Sequence, residues 1–333
     1  MNHSASHRGT WIKLAINLLL LALAAWIFLN RQVALDTVNL LGYEPPVEIQ
    51  KIADNTKMSD LGKRYFYVTH PLLSDRETFN AQCTNHGRER SIILGCYNGV
   101  NIFVYDINDH RLLGVEEVTS AHEMLHVAYD RLPDKEKIKI NDMLDDQYES
   151  LKDERILDLI EIYRESQPAE LYNEMHSIFA TEVRDLTSEL DEYYKKYFTD
   201  RLVVVGYSEQ YEKVFGELKA RQDTILKDIE QIVGEVKRRT SDFNEAISLL
   251  DQDIRAFNAR AQAGDFESES EFNQQRSVLV SRVQALENER ATINSLRSAF
   301  DRKQKELAAL NLEVISLNQS LDSTPADVPT LQE

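Results

Sequence analysis

Cysteine is scarce in this sequence: Cys83 and Cys96 are the only two among 333 residues. Two cysteines exclude a disulfide-dense scaffold, and they lack the spacing of a zinc finger. Basic residues are also short. The 38 Lys+Arg face 56 Asp+Glu, a formal net charge of −18. A chain of that sign is a poor general nucleic-acid binder, because phosphate recognition needs a basic surface, and no nucleic-acid partner is expected. The deficit is uneven. Residues 31–205 hold 20 Lys+Arg against 33 Asp+Glu, whereas residues 206–321 hold 16 against 20. The composition therefore changes near Val205, and the length allows two domains or one domain plus an elongated element.

One apolar run is long enough to cross a bilayer. Trp11–Asn30 is apolar apart from Lys13, Asn17 and Asn30, and a spanning helix needs about 20 such residues. Arg8 and Lys13 precede the run and Arg31 follows it, a slight bias toward a cytoplasmic N-terminus. A signal peptide cleaved at Ala22-Leu23-Ala24 is the rival reading; against it, Trp26-Ile27-Phe28-Leu29 carry the run past that site. Both readings place the main body outside the cytoplasm, in the first case as a single-pass membrane protein. A Cys83–Cys96 disulfide is expected there. Closing a loop of that size contributes about 3 kcal/mol in the chain-entropy model.

Residues 31–61 read as a linker, with Pro45-Pro46 breaking any helix. Arg64–Leu73 mixes aromatic and β-branched residues up to Pro71 and predicts a strand. Two apolar stretches, residues 91–97 and 100–107, flank Asn98-Gly99 and predict a hairpin. From Lys135 to Phe198 the pattern is helical, with a break at Gln167-Pro168. Residues 62–205 thus predict a small α+β domain with a short sheet and helices.

The chemistry is concentrated in Ala121–Asp130, "AHEMLHVAYD". On a helix His122 and His126 lie one turn apart on one face, so both imidazoles reach one ion. Glu123 is offset by one position, near the ion but free to take a proton from an attacking water. Thr119 or Ser120 is the expected helix cap, with Glu116 and Glu117 at its positive end. A catalytic zinc needs a third protein ligand. The form with a third histidine is excluded, because Tyr129 and Leu132 stand where it requires glycine and histidine. Glu170–Leu186 is the best source: Glu174, Ile178, Thr181 and Asp185 share a helical face, Glu182 lies about 80° from Glu174, and His176 points nearly opposite.

"HEMLH" followed by "NEMHSIFAT" resembles the gluzincin metallopeptidases, in which a glutamate is the third ligand and the second helix often reads Asn-Glu-x-x-Ser-Asp. Asn173, Glu174 and Ser177 match, which implies Glu174 as ligand; Ile178 replaces the aspartate that supports a zinc histidine. Aligning "IFAT" instead implies Glu182, with Asp185 as its support, and His176 is a third alternative. With the apolar N-terminal run, the arrangement is similar to a group of bacterial membrane-anchored zinc-peptidase-like proteins with a C-terminal coiled coil. The resemblance covers roughly residues 62–198. It implies Zn²⁺, a peptide or protein substrate, Glu123 as general base, and a substrate strand on a sheet edge that residues 100–107 could supply. His176, Tyr129 and residues 191–198 are candidate donors to the substrate carbonyl; Tyr193, Tyr194 and Tyr197 read better as packing.

Beyond Val205 one seven-residue ladder runs Phe215, Gln222, Ile229, Val236, Phe243, Leu250, Phe257, and a second runs Phe272, Leu279, Leu286, Ile293, Phe300, Leu307, Val314, Leu321. Apolar heptads with charged flanks predict coiled coil. The ladders mirror each other about Gly264-Asp265, which predicts an antiparallel hairpin over 206–321, capped by Ser268 or Ser270. Residues 322–333 read as a disordered tail. The hairpin also supports a reading from another class: a non-catalytic envelope protein whose hairpin docks a protein partner, with the zinc absent or structural.

Overall fold

The structure is a computed structural model that describes residues 5–83 and 94–321. The expected tail and most of the loop between the cysteines lie outside the described residues. The chain divides into two compact units, residues 1–213 with 320–333, and residues 214–319.

The first unit begins with α1 (Ala5–Leu29), whose Trp11–Leu29 stretch is long and apolar enough to cross a membrane and contains no buried residue. After a break at Asn30 come α2 (Arg31–Leu40) and α3 (Val47–Asn55). The segment expected as linker is therefore mostly helical. In α3, Ile49, Ile52 and Ala53 recur at helical spacing and are buried in the main core. Pro45-Pro46 limits the helix without abolishing it, since a proline just before the first turn costs no hydrogen bond.

The expected strand over 64–73 is helical in residues 64–67 and extended only at Leu72 and Leu73. Helix α4 (Asp60–Tyr67) starts where the Ser59 hydroxyl accepts from the Gly62 amide, and Phe66 drives it into the core. Local β-propensity loses here to a cap and a buried stripe. Only β1 (Leu72–Ser74) is extended. Next come α5 (Arg76–Gln82), capped by Asp75, and the strands β2 (Gly95–Tyr97) and β3 (Ile102–Tyr105). The sheet order is β1-β3-β2, with β1 parallel to β3 and β2 antiparallel to it, Cys96 opposite Phe103. The Asn98-Gly99 hairpin is present; the Asn98 side chain accepts from the amides of Val100 and Asn101. Cys83 and Cys96 are joined, tying the end of α5 to β2 beside Phe79, Phe103 and Tyr105.

Helix α6 (Val115–Asp130) carries the histidines. Its cap is Gly114 and not Thr119 or Ser120. The chain turns there at φ +94°, and a β-carbon on Gly114 would meet Tyr207 at 2.8 Å. Glu116 and Glu117 lie in the first turn as expected. The helices that follow are α7 (Asp134–Ser150), α8 (Glu154–Ser166), α9 (Leu171–Glu182) and α10 (Ser188–Tyr194); α9 packs on α6, α7 and α8 pack on α9, and α10 packs on α7, with the break at Gln167-Pro168 in place. The buried Arg201 guanidinium donates to the carbonyls of Ala180, Val183 and Arg184, closing the end of α9.

Helix α11 (Leu202–Ala263) begins in the first unit, and α12 (Glu269–Leu321) ends there, Ser320 meeting Asp109 at 3.2 Å. The second unit holds the rest of both helices as a hairpin. Gly264 at φ +69° ends α11, and the Ser268 hydroxyl accepts from the Glu271 amide. The Phe257 and Phe272 rings lie 5.1 Å apart, tilted against each other, near the tip. Farther along the arms, Arg239 meets Glu289 at 2.9 Å, Lys303 meets Asp228 at 3.0 Å, and Gln222 meets Asn311 at 3.4 Å. The partner falls on one arm as it rises on the other, which is antiparallel pairing. Leu218, Ile225, Leu310 and Leu317 are buried although they stand off the two ladders, so the seam uses a second heptad position on each arm.

Candidate metal centre

Helix α6 is buried along most of its surface, with Ala121, Met124, Leu125, Val127 and Ala128 forming its apolar side. His122 and His126 occupy the face that remains, their rings edge to face at 4.7 Å and partly open to solvent. Helix α9 crosses that face and delivers Glu174. His122 Nε2 is 3.4 Å from Glu174 Oε2, and His126 Nε2 is 3.7 Å from Glu174 Oε1. Thus two histidines one turn apart converge with a glutamate about fifty positions farther along the chain, both Nε2 atoms aimed at one carboxylate.

The supporting hydrogen bonds point the same way. Asn173 Oδ1 lies 3.0 Å from His126 Nδ1, with the Ser177 hydroxyl at 3.4 Å. The Asn173 amide nitrogen donates toward Glu170 at 3.3 Å, which orients its oxygen to the histidine. An amide oxygen only accepts, so Nδ1 carries the proton and the Nε2 lone pair is left for an ion.

Glu123 is buried and lies against β2. A β-carbon on Gly95 would come within 2.8 Å of Glu123 Oε1 and would also collide with Thr119. Gly95 therefore lets the strand and the carboxylate meet. His122, Glu123 and His126 each offer one ligand atom within 4.8 Å of the others, so this group could hold a metal ion. Glu123 and Glu174 both complete a His-His-Glu set. Glu174 is the carboxylate that reaches both Nε2 atoms, and its Oε2 is buried with no hydrogen-bond partner. Burial pushes the Glu174 carboxyl up, but His126 and His122 pull harder, and the group is held below the ordinary carboxylate range.

The other candidates lie elsewhere. Glu182 is two helical turns past Glu174 and accepts from Arg155 at 2.8 Å, with no approach to the histidines. Asp185 lies beyond the end of α9. His176, expected as a donor to substrate, is fully buried, its Nε2 hydrogen-bonded to the Tyr193 hydroxyl at 2.9 Å. Burial and the two nearby histidines hold it neutral, with its pKa down to about 3. It faces the core because two residues along a helix is a turn of about 200° from Glu174. Tyr193, Tyr194 and Tyr197 pack around it, as expected, and the Tyr129 hydroxyl is spent on Asn141. The strand over 102–105 is central in the sheet, so it is not an edge; β2 is the edge strand beside α6.

Two contributors had no sequence signal. Gly95 sits in an ordinary strand pattern, and Tyr163 of α8, a hydrogen-bonding neighbour of Glu174, sits in an ordinary helical one. No family model, curated protein or solved structure matches the chain. The likeness to gluzincins therefore rests on the residues themselves.

Proposed function

We propose that this protein is a membrane-anchored zinc peptidase of gluzincin type, with a zincin-like domain outside the cytoplasm. One observation carries the reading: the buried Glu174 carboxylate, set against the Nε2 atoms of both His122 and His126, with its Oε2 left without a hydrogen-bond partner. Ligands held at about 2.0–2.2 Å in a tetrahedron lie about 3.4 Å apart. The separations of 3.4 and 3.7 Å are too long for good hydrogen bonds and close to that edge. The donor set fits zinc.

Zinc bound there supplies Lewis acidity, which makes a water nucleophilic near neutral pH and polarises the scissile carbonyl. Glu123 accepts the proton of the attacking water and returns it to the leaving amine. Its burial against Gly95 holds the carboxylate at the reacting face. Asn173 fixes His126, and Tyr163 is the hydrogen-bonding neighbour of the ligand carboxylate. The edge of β2 is where an extended peptide would pair.

Zinc content and peptide hydrolysis, measured together, test the reading. Glu123→Gln should keep about one zinc per chain and lose activity by roughly 10²–10⁴-fold or more. Glu174→Ala and His126→Ala should lose both, and Glu182→Ala should keep both. A wild-type protein that binds no zinc, or hydrolysis untouched by Glu123→Gln, refutes the peptidase. The second reading, a non-catalytic docking protein, draws on the α11–α12 hairpin, which holds none of the candidate metal residues. It predicts full biological activity in Glu123→Gln.

A further inference from the structure

Helix α2 is inside out. The residue it buries against the protein is charged: Asp36 is 3% exposed. Asp36 accepts from Arg131 at 3.0 Å and from Gln32 at 2.9 Å. Other polar ties flank it. The Asn39 carbonyl accepts from His70 Nε2 at 2.8 Å, and Arg64 reaches the Thr37 hydroxyl at 3.4 Å. Tyr43 stacks on the His70 ring at 4.0 Å.

The outward side is the apolar one. Leu35, Val38 and Leu41 are 55%, 68% and 84% exposed, and Val47 at the start of α3 is 61% exposed. At 100° per residue Leu35 and Val38 fall within about 60° of each other, about 100° and 160° from Asp36. A helix on a protein in water shows the opposite polarity, with its apolar stripe inward. An outward apolar face flush with a polar inward one suits a helix with the protein on one side and a non-aqueous medium on the other.

The neighbour of this helix says which medium. One residue, Asn30, separates α2 from α1, and its backbone (φ −117°, ψ 34°) departs from helical values, so the chain can change direction there. Asn30, Arg31 and Gln32 form a polar collar at the end of the apolar run, as at a bilayer interface. We infer that α2 lies in the headgroup region of the bilayer with Leu35, Val38 and Leu41 among the acyl chains, and that the Asp36–Arg131 pair clamps the globular unit onto it. This rests on reading α1 as a membrane span. The clamp reaches the candidate site directly. Arg131 is the residue that ends α6, five positions after His126, or about 7.5 Å along the axis. Its guanidinium also covers the Tyr65 ring at 5.3 Å. The metal-site helix is therefore fastened to the membrane-lying helix through one buried ion pair, whereas a flexible linker would leave it free.

The full chain, its disulfide intact, is reconstituted in phosphatidylcholine–phosphatidylglycerol vesicles with one added cysteine carrying an environment-sensitive fluorophore. Labels at Val38→Cys and Leu41→Cys are compared with Leu20→Cys inside α1 and Asn244→Cys on the exposed side of α11. The expected result is quenching of positions 38 and 41 by nitroxide-bearing lipid. Aqueous iodide should quench them roughly tenfold less than it quenches position 244, as for an interfacial helix sunk about 5–10 Å. If position 20 is lipid-quenched but 38 and 41 are as open to iodide as 244, the inference falls and the anchor stands. Protection of 38 and 41 from both quenchers means a protein partner covers the face, which also overturns the lipid assignment. If position 20 itself is open to iodide, the anchor reading fails and takes this inference with it. None of these outcomes depends on zinc or on hydrolysis.

Discussion

Asn173 Oδ1 lies 3.0 Å from His126 Nδ1, across the contact between α9 and α6. The residue beside Glu174 in sequence thus orients one of the two histidines that Glu174 faces. Groups that aim a metal-binding imidazole typically contribute 10–100-fold in metal affinity. Asn173→Ala should weaken zinc binding by about that factor in chelator competition while leaving the fold intact by circular dichroism. Affinity unchanged from wild type would show that the hydrogen bond does not set the ring.

Gly95 tests the contact between the edge strand and Glu123. The added methyl of Gly95→Ala must displace either Thr119 or the Glu123 carboxylate. Overpacking of this kind costs about 1–3 kcal/mol. Hydrolysis should fall well beyond what the stability loss explains, with zinc retained, because Glu123 is not a proposed ligand. Wild-type turnover in this variant would remove Gly95 from the site.

The turn before α6 should show a pH signature. The Arg111 guanidinium beside Asp109 holds its carboxyl well below the usual range, with the Ser320 hydroxyl adding to the effect. A carboxyl that is more acidic when folded binds fewer protons in the native state than in the unfolded one. Its contribution is therefore complete above the ordinary aspartate pKa of about 3.9 and is lost as pH falls below that value. Urea midpoints of wild type and Asp109→Asn should differ most near pH 7 and draw together between pH 4 and pH 2 or so. A gap that widens with acid would reverse the sign.

At the tip, Phe257 and Phe272 are in ring contact. Phe257→Cys with Phe272→Cys should crosslink within one chain, seen as a monomer of altered mobility on a denaturing gel. Crosslinks found only between chains would place the two arms in different molecules.

Much of this was legible because it is local or periodic. His122, Glu123 and His126 share a face through the 3.6-residue repeat alone, wherever the helix is buried. The Asn98-Gly99 turn follows from backbone preferences of two residues. The ladders ending at Phe257 and beginning at Phe272 pair because their heptads leave one register that matches apolar layers. Cys83 and Cys96 needed only the expected compartment and the lack of any other cysteine.

What the sequence left open turned on contacts between segments. Glu174 and Glu182 are both acids on one helix, and only the crossing of α9 over α6 sends one to the histidines and the other to Arg155. Residues 64–67 have strand-like composition, yet the Ser59 cap and the burial of Phe66 make them helical. That β3 is central and β2 the edge depends on β1 arriving parallel from thirty residues upstream, a pairing with no local signal. In α2, likewise, the apolar residues face outward because Arg131, far along the chain, gives Asp36 a buried partner. Periodicity decides which residues share a face; only packing decides what that face meets.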